Sequence, residues 1–272
     1  MKKEMKIWIL SIYFLVLFCQ FSFCQESYII NYKYITLAKE SLLSTLVISG
    51  NESTFKILDD RQEGWTYKED GNKDLYIVND ELSTFCYSDG QTTFVRIPSP
   101  KSIGGAVYFY SEELLNWQIT GNTKKIKSYN CQEAKLELHG RFYTAWFTTD
   151  IPIHKGPLKL HGLPGLIVEV EEKNGLCKIK LLDLKKTSDI AIINQSKAYF
   201  ESNKVMSFSE YEAIVKELAI RSKIKIANYM AEDIAQNGGS INVEFPNGNY
   251  YFVRRIIDIP EGTIKELEKI DL

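Results

Sequence analysis

The side chains with most chemistry to offer are few in this 272-residue chain: three histidines, His139, His154 and His161, and, past the first two dozen residues, three cysteines, Cys86, Cys131 and Cys177. No two histidines stand at the i, i+4 spacing that aims both rings of an HExxH helix at one metal, so the pattern defines no metal site. His154 and His161 reach a common point only if the chain between them folds back, with Asp150 or Glu169 completing a donor set of zinc or copper type; otherwise they are loop histidines facing water. Cys131 is a candidate nucleophile for a hydrolase or peptidase, a role that needs a histidine within about 3 Å to hold the thiolate. Its simpler roles are a small core residue, cysteine being among the most buried types, or half of a disulfide with Cys86 or Cys177. An odd count leaves at least one thiol free or bonded to another chain. No pair has the CxxC spacing of a thioredoxin-type centre, and GxSxG, GxGxxG and Walker loops are absent, which disfavours serine-hydrolase and nucleotide-binding chemistry.

A second constellation is aromatic and cationic. Arg141, Tyr143 and Trp146, with Trp117 and His161, can line a groove whose amphipathic rings and guanidinium grip a peptide, lipid or glycan. The competing account is core and cross-strand packing, under which a buried Arg141 requires a partner because an unpaired buried charge is strongly destabilising.

The elements that must position these groups read as strands. Short runs rich in Tyr, Phe, Val, Ile and Thr recur between turn clusters, over 28–35, 44–48, 54–58, 65–68, 75–78, 83–87, 92–97 and 107–110, the pattern of meandering antiparallel hairpins. Residues 125–138 alternate loosely, His139-Gly140 turns the chain, and "RFYTAWFT" (141–148) returns as a strand. Its alternation puts Arg141, Tyr143, Ala145 and Phe147 on one face and Phe142, Thr144 and Trp146 on the other. After a loop over 150–160, Gly162-Leu163-Pro164-Gly165-Leu166-Ile167 reads as a corner: Pro164 presets φ and Gly165 supplies the positive φ of a type II turn, while Gly162 permits close backbone approach. The corner feeds a hairpin, 166–172 and 176–184, about Asn174-Gly175, the preferred pair for a type I′ turn. This register sets Val170 against Ile179 and Val168 against Leu181 on an apolar face, and Glu171 against Lys178 and Glu169 against Lys180 on an ionic one. Ser207 and Glu210 form a capping box ahead of Tyr211, Ile214, Val215 and Leu218 at helical spacing. A continuation over 224–234, a strand over 250–257 and a short helix over 263–270 complete a mainly β (α+β) chain: a curved antiparallel sheet with one or two late helices packed on it.

Lys2, Lys3 and Lys6 precede an apolar run, Ile7 to Phe18, that ends at Ser22-Phe23-Cys24-Gln25, the order of a cleavable export signal. The run is shorter than the ~20 residues of a spanning helix. Cleavage before Gln25 leaves residues 25–272 as a single β-rich domain with no membrane span, in a compartment where disulfides form. The net charge of -2 and the lack of a basic run interleaved with aromatics argue against nucleic acid as a partner.

The stretch "IKSYNCQEAKLELHGRFYTAWFTTDIPIHKGPLKLHGLPGLIVEVEEKNG" (126–175) resembles the defining segment of the GLPGLI family of exported bacterial proteins. The resemblance rests on Tyr129, Cys131, Ala134, Gly140-Arg141, Tyr143, Ala145-Trp146, Ile151-Pro152-Ile153, Gly156-Pro157 and the box 162–167. Leu158 stands where the pattern has a bulky aromatic. The resemblance implies an address in the Gram-negative envelope, periplasmic, outer-membrane-associated or secreted, rather than a reaction. The sequence thus reads as a non-catalytic envelope module that binds a ligand or protein through Arg141, Tyr143, Trp146 and His161 without a cofactor or metal. The alternatives are a hydrolase or peptidase using Cys131 or His154 and His161 with nearby acids, and a structural subunit of an envelope complex.

Overall fold

A computed structural model describes residues 26–36, 41–58, 84–98, 106–112, 114–175, 177–214 and 217. Within these residues twelve strands form one open sheet: β1 (Ser27–Thr36), β2 (Ser41–Ser49), β3 (Glu52–Leu58), β4 (Phe85–Ser88), β5 (Thr93–Pro98), β6 (Ala106–Ser111), β7 (Gln118–Ile126), β8 (Tyr129–Leu138), β9 (Arg141–Thr148), β10 (Leu166–Glu172), β11 (Cys177–Thr187) and β12 (Met206–Ser207). Their order is β12-β6-β5-β4-β3-β2-β1-β11-β10-β9-β8-β7. Two meanders, β1 to β6 and β7 to β11, meet where β1 pairs antiparallel with β11. Every pairing is antiparallel except that of β12 with β6. The predicted strands at 65–68 and 75–78 and the elements from 224 onward lie outside the described residues.

Alternation divides the side chains between two faces. On one, Ile30, Tyr32, Leu46, Phe55, Val95, Phe109, Ala134, Tyr143, Ala145, Phe147, Val170 and Ile179 form the main core. The chain between β9 and β10 lies over it, burying Leu160 and Leu163, and the helical segment 208–214 adds Phe208 and Tyr211, with Tyr211 stacked on Phe109 at 4.3 Å. That helix starts at the predicted capping box: Glu210 N–H donates to Ser207 Oγ at 3.3 Å and Ser207 N–H to Glu210 Oε2 at 2.7 Å.

The opposite face carries a helix that the periodicity did not reveal, α1 (Ala191–Ser202). Its buried stripe is Ile193, Ser196 and Phe200, and a serine in the middle makes the apolar signal too sparse to read. The sheet supplies the missing hydrophobicity: Phe200 lies 5.4 Å from Phe85, 5.3 Å from Phe94, 6.2 Å from Tyr87 and 5.8 Å from Tyr108. Phe200→Ala is expected to destabilise the protein by about 3–5 kcal/mol and to release the α1 amides to hydrogen exchange; a loss below about 1 kcal/mol in urea titration would count against this anchoring role.

The hairpin register appears as expected, Val170 opposite Ile179, Glu171 opposite Lys178 and Glu169 opposite Lys180, and Lys178 pairs with Glu171. The ladder covers these three pairs and does not extend to Val168 and Leu181. The tip departs from type I′, which needs positive φ at both central residues. Gly175 has φ +75° but Asn174 is not in the left-handed region, and a turn over 172–175 closes with Gly175 N–H donating to Glu172 C=O at 2.9 Å. The two-residue turn with positive φ at both positions is His139-Gly140, at 52° and 75°, between paired Leu138 and Arg141. The single alternating run expected over 125–138 is instead two strands, because Lys127 adopts φ 55° and turns the chain between paired Ile126 and Tyr129.

Candidate functional site

The motif corner differs from a type II turn. Gly162, not Gly165, takes the positive φ, at 90°. The turn is closed within three residues by Gly165 N–H donating to Leu163 C=O at 2.8 Å. Gly165 is needed for approach: a Cβ there would lie 2.0 Å from the Thr148 carbonyl oxygen. The loop ahead of the corner is an ordered excursion. Gly162 N–H donates to His154 C=O at 3.1 Å, Leu166 N–H to Ile151 C=O at 3.1 Å and Ile167 N–H to Lys155 C=O at 3.2 Å. Trp117 Nε1 donates to the His161 carbonyl at 2.8 Å.

The loop does fold back between His154 and His161, through a Lys155–His161 bridge, yet the imidazoles make no metal site. His154 is exposed, while half-buried His161 donates through Nδ1 to the Lys159 carbonyl at 3.0 Å. Burial lowers the His161 pKa. His139 stacks on Phe208, with centroids 4.6 Å apart. Among the described residues no cluster of three His, Cys, Asp or Glu side chains is disposed to hold a metal ion.

The three cysteines are buried thiols, not disulfide partners. They lie on β4, β8 and β11, and the nearest two strands, β8 and β11, are three intervals apart in the sheet. At the usual strand spacing this is about 14 Å, twice the roughly 7 Å that a disulfide spans between Cα atoms. Burial raises the Cys131 pKa; Lys124 opposes the rise while Asp150 and Glu169 add to it, and no histidine acts on the thiol. The nucleophile reading therefore lacks both its base and its thiolate. Cys177 is pushed up to about 12, by burial first and then by the Glu172 charge, with the Arg141 charge acting the other way. A raised folded-state pKa means stability that is present below the ordinary thiol value of 9.0 and is lost as pH climbs towards about 12. Urea midpoints should fall across that window, more shallowly in Cys177→Val; equal slopes in the two proteins would contradict the assignment.

The predicted binding residues divide between the two faces. Arg141 and Tyr143, 3% and 2% exposed, point into the main core with Glu172 and Cys177. Trp146 is on the opposite face, where Lys124 Nζ sits 4.1 Å from its ring centroid and 3.7 Å from Glu169 Oε2. His161 belongs to the loop that covers the core. The four residues do not share a surface.

Sequence reasoning passed over the place that is open. At the margin of β7, β8 and β9 a pocket of about 370 Å³ is lined by Thr123, Lys124, Lys125, Asn130, Cys131, Gln132, Phe147 and Thr149. Cys131 and Phe147 supply apolar surface, and ammonium, amide and hydroxyl groups ring it. Nothing in Thr123-Lys124-Lys125-Ile126-Lys127 distinguishes it by sequence from a solvated turn; the one available signal was that turn itself, since it makes the preceding residues a strand.

The described chain is thus an open, almost wholly antiparallel sheet with a helix on each face and a glycine-cornered loop over its main core. Residues 138–169 match a family described as "Protein of unknown function (Porph_ging)", which takes in the His139-Gly140 turn, β9, the loop and the corner. No curated protein matches the chain. Among solved structures it is similar to PNGF-II, at 14% identity over 67% of this chain with a TM-score of 0.44 in one crystal form and over 69% with 0.46 in another. The chain spans 31% and 32% of the length of PNGF-II in those two forms. An uncharacterized conserved protein from Thermus thermophilus aligns at 8% identity over 68% of this chain and 91% of its own, with a TM-score of 0.38. A LolA superfamily protein from Nitrosomonas europaea aligns at 10% identity over 62% and 89%, with a TM-score of 0.25. Among the described residues no helix is long and apolar enough to cross a membrane.

Proposed function

We propose that the protein is an exported, non-catalytic binding module whose ligand or partner docks at the β7–β8–β9 margin. The observation that carries this reading is a contrast in exposure. Arg141 and Cys177 are committed to the interior, whereas the pocket with Cys131 at its floor opens to solvent between Thr123 to Lys125 and Asn130 and Gln132, with donors and acceptors on its rim. Trp146, beside Lys124, is the one residue of the predicted aromatic cluster placed to extend that surface. Export follows from the Lys2 to Gln25 signal pattern.

The exported form, incubated with bacterial envelope extract and followed by mass spectrometry, is expected to retain a component unchanged. Retention should persist in His154→Ala and His161→Ala and weaken in Lys125→Glu, which reverses a charge on the pocket rim. Turnover of an extract component that stops in Cys131→Ala, His154→Ala or His161→Ala would instead establish the hydrolase alternative.

A further inference from the structure

Among the described residues β7 is the terminal strand of the sheet, and most of its residues are exposed. Such an edge presents unpaired backbone N–H and C=O groups, and proteins ordinarily blunt it with bulges and lysines. Both devices are present here, but they leave one stretch usable. Ile119 pairs with Ala134 and Thr123 with Gln132, so Thr120, Gly121 and Asn122 together stand opposite Glu133 alone. The Glu133 carboxylate holds this bulge, accepting from Thr120 Oγ1 at 2.9 Å and from Asn122 Nδ2 at 2.9 Å, and those hydrogen bonds keep its pKa below the ordinary value. Beyond the bulge, Thr123, Lys124, Lys125 and Ile126 pair regularly with Gln132, Cys131, Asn130 and Tyr129. The pocket lies at this same stretch, with Thr123, Lys124 and Lys125 in its wall.

An open strand edge with a pocket beside it is the arrangement by which an extended peptide adds to a sheet: main-chain hydrogen bonds give affinity and the pocket gives specificity. Building on the margin as the binding site, we infer that residues 123–126 accept an extended acidic segment of a partner polypeptide as an additional strand. The charge of the occupant follows from exposed Lys125 and from Lys124 beside it on this stretch, whereas the Lys127 ammonium is turned away to the Leu182 carbonyl of β11. A second copy would set lysines against lysines, and like charges opposite one another across a strand pair are destabilising. Glutamate or aspartate in the incoming strand reverses that sign on both faces, because Lys124 and Lys125 point to opposite sides.

The test uses two linear peptides about ten residues long, enough to overrun the open stretch, one of Glu-Glu pairs separated by Val-Val pairs, so that acidic groups reach both faces, and the other with Lys-Lys in place of Glu-Glu, added to the exported form. The acidic peptide should bind in the micromolar range, about 10-fold or more tighter than the basic one, and slow hydrogen exchange at residues 123–126. Lys125→Glu should remove the preference, and N-methylation of alternate peptide bonds should abolish binding by removing the donors. Equal affinity for the two peptides, no binding of the acidic one at about 1 mM, or protection confined to other strands would overturn the inference. An envelope component whose retention weakens in Lys125→Glu but leaves hydrogen exchange at residues 123–126 unchanged would overturn strand addition while leaving docking at the margin in place.

Discussion

Gly165→Ala should be the most damaging single-methyl change in the motif, at about 3 kcal/mol or more, the upper end of what overpacking produces. The atom in the way is the Thr148 carbonyl oxygen, 2.0 Å from the added Cβ, with the carbonyl carbon at 2.7 Å and Thr149 Cα at 3.1 Å. All three belong to the backbone, so no rotamer change relieves the clash. Separating the chains breaks the start of the β9–β10 ladder, where Leu166 pairs with Thr148 and Ile167 with Phe147. Gly162→Ala gives the contrast. Its φ of 90° is strained for an L-residue, but nothing lies within 4 Å of the added methyl, so the cost should stay near 1–2 kcal/mol. Urea titration of both variants at unchanged m-value decides the matter. A larger loss in Gly162→Ala would mean that conformation, not approach, selects the two glycines.

The two glycines also show where the sequence was legible. Gly-Leu-Pro-Gly announces a corner, because turn residues act locally, but which glycine answers to φ and which to a neighbouring backbone depends on Thr148, seventeen positions upstream. The β10–β11 register was readable because charge and hydrophobicity must match on both faces at once, and that constraint outlasts an error about the turn type at its tip. β9 was readable to the residue from its alternation. α1 was not, because the aromatic surface that completes its face lies on β4, β5 and β6. The candidate site was least legible of all. Arg141, Tyr143 and Trp146 drew attention as residue types, yet strand alternation sends Trp146 to the other face, and the open pocket is built from lysines, amides and threonines whose only distinction is an edge position.

Arg141→Leu is the second large effect expected, about 3–5 kcal/mol, the range for removing one of two opposite charges buried near each other. Arg141 is 3% exposed and Glu172 0%, on neighbouring strands and on the same face, and their charges act with opposite sign on the Cys177 thiol of β11, the strand on the other side of β10. Without the guanidinium, Glu172 keeps the Asn174 N–H, at 2.8 Å, but loses a nearby countercharge in a site closed to water. Removing both charges should therefore hurt less than removing one: Arg141→Leu combined with Glu172→Leu should recover most of the loss, a coupling measurable by a double-mutant cycle. Cys177 provides a readout that a packing defect would not move in the same way. Because Arg141 lowers and Glu172 raises its pKa, Glu172→Gln should move the native-state titration of Cys177, followed by thiolate absorbance against a Cys177→Val background, to lower pH, and Arg141→Leu should move it to higher pH. Additive stability losses with no opposite shifts in this titration would show that the two charges are held independently, and that Arg141 has another reason to be buried.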